Sequence, residues 1–285
     1  MSFPETALLG ALAGFTIFLG LPAGRIGVIG NRTRVALAMF AVGVLSFLFV
    51  DVFEHAFGIV EEPVEALGEG AGGVAEALGY VALVAAGFVA GTAGLATLER
   101  WLRPQAPSMP PIAGGAVDTL TVEDARRLEA ASDPRRRALR AGLTIAVAIG
   151  LHNFAEGLAI GVSASTGEIA LATVLIVGFA LHNATEGFGI IGPLGDVRPS
   201  WAWLCLAGLI GGGPVFLGTL VGYNVSSVPL ELAFYGLAGG AILYVIGEVW
   251  TGMRRYGHRV LGLWMLSAGF LIGLVTDLVV VYGGG

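Results

Sequence analysis

Eight apolar runs, each about long enough to cross a lipid bilayer, do most to narrow what this chain can fold into. They fall at approximately 6–24, 35–57, 73–99, 140–163, 168–191, 201–223, 230–252 and 260–281. A helix needs about 20 mostly apolar residues to span the hydrocarbon core. Only structures that satisfy their own backbone polar groups survive there, so the runs predict an all-α, polytopic membrane protein. Composition agrees: 55% of residues are hydrophobic, 13% are charged and the mean hydropathy is +0.82. An ordinary soluble domain carries about 25% charged residues, and a soluble fold of this size exposes too much surface to hide so many apolar ones. Met1 to Glu5 carries no positively charged side chain ahead of the first run, which predicts a first span and not a cleaved signal peptide.

The cations test the span count independently. The chain has no Lys, and all 15 of its basic residues are Arg. Arg25, Arg32 and Arg34 lie between spans 1 and 2, and Arg100, Arg103, Arg126, Arg127, Arg135, Arg136, Arg137 and Arg140 between or beside spans 3 and 4. Arg198 separates spans 5 and 6, and Arg254, Arg255 and Arg259 separate spans 7 and 8. With eight spans every one of them falls on the same side. The positive-inside rule makes that side cytoplasmic and puts both termini outside. The segment between spans 2 and 3 carries Glu61, Glu62, Glu65 and Glu69, read as a solvated loop or as a cation-attracting vestibule. Residues 103–137 read as a cytoplasmic linker, Pro-rich at first and then a short helix over Val122–Ala131 opened by Thr121. The chain is otherwise a single transmembrane domain, 1–285. Gly is abundant, at 46 residues, and recurs as Gly10/Gly14, Gly87/Gly91, Gly157/Gly161, Gly208/Gly212, Gly236/Gly240 and Gly269/Gly273. In a membrane that spacing lets helices approach closely.

Ionisable side chains deep in a span cost about 2.5–3.5 kcal/mol each and usually mark chemistry. Span 4 holds His152, Asn153 and Glu156 in LHNFAEGLAIG, and span 5 holds His182, Asn183 and Glu186 in LHNATEGFGII. His and Glu at i and i+4 share a helix face. Taking the intervening turn at Thr166, both His lie roughly 21–24 Å from it, so an antiparallel pair brings them to one depth near mid-membrane. Glu156 is then one turn outward and Glu186 one turn inward. Imidazole and carboxylate together suit zinc, iron, manganese, cobalt or nickel; carboxylates alone would suggest calcium or magnesium. A lone intramembrane His is commonly structural, but a duplicated pair at matched depth is poorly explained that way. Two facing His also fit a haem-bearing electron-transfer protein, against which the neighbouring Glu argue. The His-Glu-x-x-His of a metalloprotease is absent, and no enzyme is expected. The lone Cys205 excludes an intrachain disulfide and a multi-Cys metal site. Asp51, Glu54 and His55 near the outer end of span 2, and Glu248 near the inner end of span 7, are read as entrance and exit ligands, with interfacial solvation as the alternative for Glu54. Asp277 reads as interfacial, and His258 lies in the loop after span 7.

At these residues the chain resembles the ZIP (Zrt/Irt-like) family of metal transporters, whose pattern is eight spans, both termini outside and His-Asn-x-Pro-Glu-Gly-like segments in spans 4 and 5. The resemblance covers nearly the whole chain. It implies an inverted-repeat 3+2+3 architecture, import of zinc or a similar metal into the cytoplasm, and an elevator-like motion. It makes His152, Glu156, His182 and Glu186 the primary site and puts Asn153 and Asn183 beside a second. The departures are specific. Ala155 and Thr185 replace the family's Pro, span 6 reads Gly213-Pro214 in place of Glu-Pro, and Asn183 stands where some members have Asp. The end of span 2 reads Asp51-Val-Phe-Glu54-His55, and residues 103–137 contain no His. With two acids missing, one central metal is expected and not a binuclear pair. The expected partners are divalent metal ions, zinc first, and the lipid bilayer of a prokaryotic plasma membrane. A homodimer is an admissible assembly, and no nucleic acid is expected. A metal-binding membrane protein that does not transport is the remaining alternative.

Overall fold

In a computed structural model, residues 1–26, 30–69, 73–102, 133–165, 167, 169–225 and 227–283 are described. Among them there is no strand, and seven helices are long and apolar enough to cross a membrane. They are α1 (Phe3–Arg25), α2 (Asn31–Gly68), α3 (Val74–Trp101), α4 (Pro134–Ser165), α6 (Trp201–Asn224), α7 (Val228–Arg254) and α8 (Arg259–Gly283). Between α4 and α6 runs α5 (Ile169–Ile191), whose 23 residues make it the eighth of spanning length. The expected helix over Val122–Ala131 and most of the linker lie outside the described residues.

Two helices are longer than their apolar runs. The 38 residues of α2 extend about 57 Å, far beyond the roughly 30 Å of hydrocarbon. The region expected as a loop after Gly58 is helical to Gly68, through Pro63 and the exposed Glu61, Glu62 and Glu65. Ile59 and Val60 pack with Ala56, Val84 and Leu232, which anchors the extension to α3 and α7. Likewise α4 begins at Pro134, a favoured first helical position, and takes in Arg135, Arg136 and Arg137. Hydropathy follows the bilayer, whereas the helix follows its backbone hydrogen bonds and tertiary packing.

The helices form two bundles. One comprises α1, α4, α5 and α6, with α4 against α6 the most extensive pairing; the other comprises α2, α3, α7 and α8. Exchanging α1–α3 with α6–α8 and α4 with α5 maps this pattern onto itself: α2·α8 becomes α7·α3, and α1·α5 becomes α6·α4. That is the contact signature of an inverted repeat. Both bundles close on glycine. A Cβ at Gly14 would overlap the Gly212 carbonyl, and one at Gly157 would overlap the Val215 carbonyl. Gly87 and Gly91 lie against α7, while Gly236 and Gly240 lie against α3 in return. Gly269 meets Phe40 and Gly273 meets Phe47 of α2. Lipid tails supply no hydrophobic drive between helices, so dispersion at such close approaches holds them together.

Candidate metal centre

The site is carried on the two repeat helices at the middle of the molecule. Both α4 and α5 run unbroken through Ala155 and Thr185. Keeping an amide N–H at both positions preserves the helical ladder that a Pro would interrupt. A turn around Gly167, with φ +88, reverses the chain between them. Here the left-handed conformation favours glycine.

The two imidazoles come to one depth, with ring centroids 6.5 Å apart. Glu156 lies between them and not a full turn outward. Its Oε1 is 2.7 Å from His182 Nε2 and 2.8 Å from His152 Nε2. The His182 contact is a hydrogen bond, with the ring N–H donating because an ionised carboxylate only accepts. The His152 contact is close but poorly aligned, and neither ring nitrogen of His152 has a hydrogen-bonding partner. Glu186 Oε1 stands 4.0 Å from His152 Nε2, also without a partner. All four side chains are buried, His152 and Glu186 to 1% exposure.

The two amides hold this cluster to its surroundings. Asn153 Nδ2 donates to Glu186 Oε2 and to the Gly211 carbonyl, both at 3.0 Å. Asn183 Nδ2 donates to the Ala13 carbonyl of α1 at 3.3 Å. Their Oδ1 atoms, like Glu156 Oε2, are buried and unpartnered. Each Asn therefore uses its donor side structurally and keeps its oxygen, the metal-binding half, unused. The Phe179 ring packs against His182 at 5.4 Å and 63°.

His152, Glu156 and His182 each offer one ligand atom, and these atoms lie within 4.8 Å of one another. Ligands about 2.0–2.2 Å from a tetrahedral zinc sit roughly 3.3–3.6 Å apart, so the 2.7 and 2.8 Å contacts would open by less than about 1 Å to admit an ion. Burying two carboxylates is costly unless they are paired. A divalent cation would supply both the charge and the missing bonds.

The flanking residues divide. Asp51 lies 20 residues after Asn31 and 17 before Gly68, midway along the long helix α2. It is half-buried. Its Oδ1 is 3.7 Å from His55 Nδ1. His55 Nδ1 is 2.9 Å from the Asp51 carbonyl, and Glu54 and His55 are exposed. Glu248 is half-buried on α7, one turn beyond Tyr244, whose hydroxyl donates to the buried Glu99 at 2.9 Å. Sequence reading missed Glu99, the Gly211 carbonyl and Phe179. Glu99 alone left a signal, an acid close to the end of an apolar run.

The comparisons with known proteins agree with this geometry. The chain matches the ZIP Zinc transporter family over residues 119–247. It is 30% identical over 268 residues to the Zinc transporter ZupT of Nitratidesulfovibrio vulgaris, covering 86% of this chain and 88% of that protein. It is 28% identical over 275 residues to the Zinc transporter ZupT of Corynebacterium glutamicum, covering 92% and 96%. It is 31% identical over 131 residues to the Zinc transporter ZIPB of Bordetella bronchiseptica, covering 45% and 42%. With eight helices of spanning length among the described residues and a His/Glu cluster on the paired repeat helices, the chain belongs to the ZIP zinc transporter family.

Proposed function

We propose that this protein carries zinc, or a divalent transition metal of similar chemistry, through the membrane into the cytoplasm. The ion rests on His152, Glu156, His182 and Glu186 in transit. One observation carries the reading: two imidazoles and two carboxylates converge in a buried place and leave ring nitrogens and carboxylate oxygens without partners. Buried polar groups are otherwise almost always satisfied. The mixed nitrogen and oxygen donors favour zinc and its neighbours over calcium or magnesium. The Arg-rich end is taken as cytoplasmic. Asp51, half-buried on α2 and 3.7 Å from His55 Nδ1, is read as a ligand on the way in, where a carboxylate would attract a hydrated cation. Glu248 is the departure ligand. Two bundles with the site inside one of them support alternating access by moving one against the other. A haem reading fares worse. Glu156 Oε1 lies within 2.8 Å of both ring nitrogens, in the space a macrocycle would need.

The test is zinc uptake by vesicles carrying the wild type or the His152→Ala, His182→Ala double variant. Zinc-dependent uptake by the wild type and its loss in the variant are expected. Equal uptake by both would remove the central site from the path. A Soret band in the purified protein would replace transport with haem chemistry.

A further inference from the structure

Among the described residues, a compact set of contacts joins the two bundles at the Arg-rich end. Tyr256, in the turn between α7 and α8, is flanked by two guanidiniums: Arg34 of α2 at 5.2 Å and Arg255 at 4.8 Å from its ring centroid. Both arginines also reach the turn between α5 and α6. Arg34 Nη2 is 3.1 Å from Asp196 Oδ1, and Arg255 Nη2 donates to the Pro193 carbonyl at 3.1 Å and to the Tyr256 hydroxyl at 2.8 Å. Between Pro193 and Asp196, Gly195 has φ +59, and a Cβ there would lie 2.5 Å from the Tyr256 hydroxyl oxygen. The turn thus approaches the tyrosine as only glycine allows.

The partners sort by bundle. Arg34, Arg255 and Tyr256 belong to the α2, α3, α7, α8 bundle, and Pro193, Gly195 and Asp196 join two helices of the other. Two more arginines, from the turn's own bundle, stiffen it: Arg25 donates to the Pro199 carbonyl at 2.7 Å and Arg135 to the Arg198 carbonyl at 3.1 Å. A cavity of ≈ 190 Å³ adjoins these contacts, lined by Gly24 and Ile191 from one bundle and by Arg34, Leu37 and Ala38 from the other. The seam is open beside the contact and closed at it.

We propose that Arg34, Tyr256 and Arg255, closing on the Gly195-Asp196 turn, form a clasp that holds the bundles together at this end in the state described and must part during each transport cycle. The inference rests on the alternating-access reading above, and its main test needs no flux. The ion pair is exposed at Asp196, at 93%, and such pairs are individually weak. Cation–π contacts of this kind add modestly to them. A clasp of this strength is opened by a conformational change and does not lock the protein.

The experiment replaces the only cysteine (Cys205→Ser), places a reporter at Leu37→Cys, and follows alkylation by a bulky thiol reagent in detergent. Asp196→Arg or Tyr256→Ala in this background is expected to raise the alkylation rate on the order of tenfold. Arg34→Asp combined with Asp196→Arg is expected to bring it back within about threefold of the starting protein. Zinc affinity at the central site shows that each variant is folded. Rates within about twofold of the start in every variant, or a charge swap no better than its single variants, would overturn the clasp. A second measurement covers variants that fail to fold. Arg34→Cys with Asp196→Cys, bridged by a short bis-methanethiosulfonate crosslinker, is expected to stop uptake until reduced, and unchanged uptake by the crosslinked protein would overturn the proposal. Absence of uptake in the wild type would instead defeat the transport reading and leave the alkylation result standing.

Discussion

At the scale of the residue, Glu156 and Asn153 do different work on one helix. Glu156 places a single oxygen against both imidazoles, while Asn153 fixes Glu186 and ties it to the Gly211 carbonyl of α6. Asn153→Ala should therefore lower zinc affinity by about 10–100-fold, the usual cost of removing a group that orients a ligand. It should also cost about 1–3 kcal/mol of stability for the buried acceptors left unpaired. Zinc titration and a detergent melt measure the two effects separately, and an unchanged affinity would reduce Asn153 to a packing residue. The convergence of the candidate site was legible because four ionisable groups stand in apolar helices at i, i+4 spacing, where burial has to be explained. The role of Asn153 was not legible. One of its two acceptors is a backbone carbonyl 58 residues away, and backbone carbonyls carry no mark in a sequence.

At the scale of the element, the glycines decide how closely helices meet. Gly157 and Gly240 face backbone carbonyls of Val215 and Phe88 with no room for a Cβ, whereas Gly247 faces open space. Gly157→Val and Gly240→Val should each destabilise by about 1–3 kcal/mol. Gly247→Ala should be neutral or stabilising by up to about 1 kcal/mol, all read from melting of the detergent-solubilised protein. Equal melting of the three variants would mean that close approach contributes nothing. All six Gly-x-x-x-Gly pairs named from the sequence lie at helix contacts, but which helix each one meets depends on topology and not on local spacing. Helix ends were less legible. Hydropathy stops where lipid stops, and α2 continues to Gly68 on packing that joins it to α3 and α7.

At the scale of the whole molecule, the arginines predict an orientation and the repeat sets symmetry. The eight runs, the one-sided Arg distribution and the duplicated motif were all present in the sequence, so the architecture could be read before the coordinates. The division into two bundles could not be, because it follows from which helices pair across the repeat. In the Cys205→Ser background, Glu61→Cys should react with a membrane-impermeant thiol reagent on intact cells, and Arg136→Cys should react only after permeabilisation. The reverse pattern would invert the topology and the proposed direction of transport. The central claim is that the buried cluster holds the metal itself, and X-ray absorption at the zinc edge of the purified, zinc-loaded protein tests it most directly. One zinc per chain with two imidazole nitrogens and carboxylate oxygens at about 2.0–2.2 Å, lost in the His152→Ala, His182→Ala variant, is the result expected. A first shell without imidazole, or one unchanged in that variant, would contradict it.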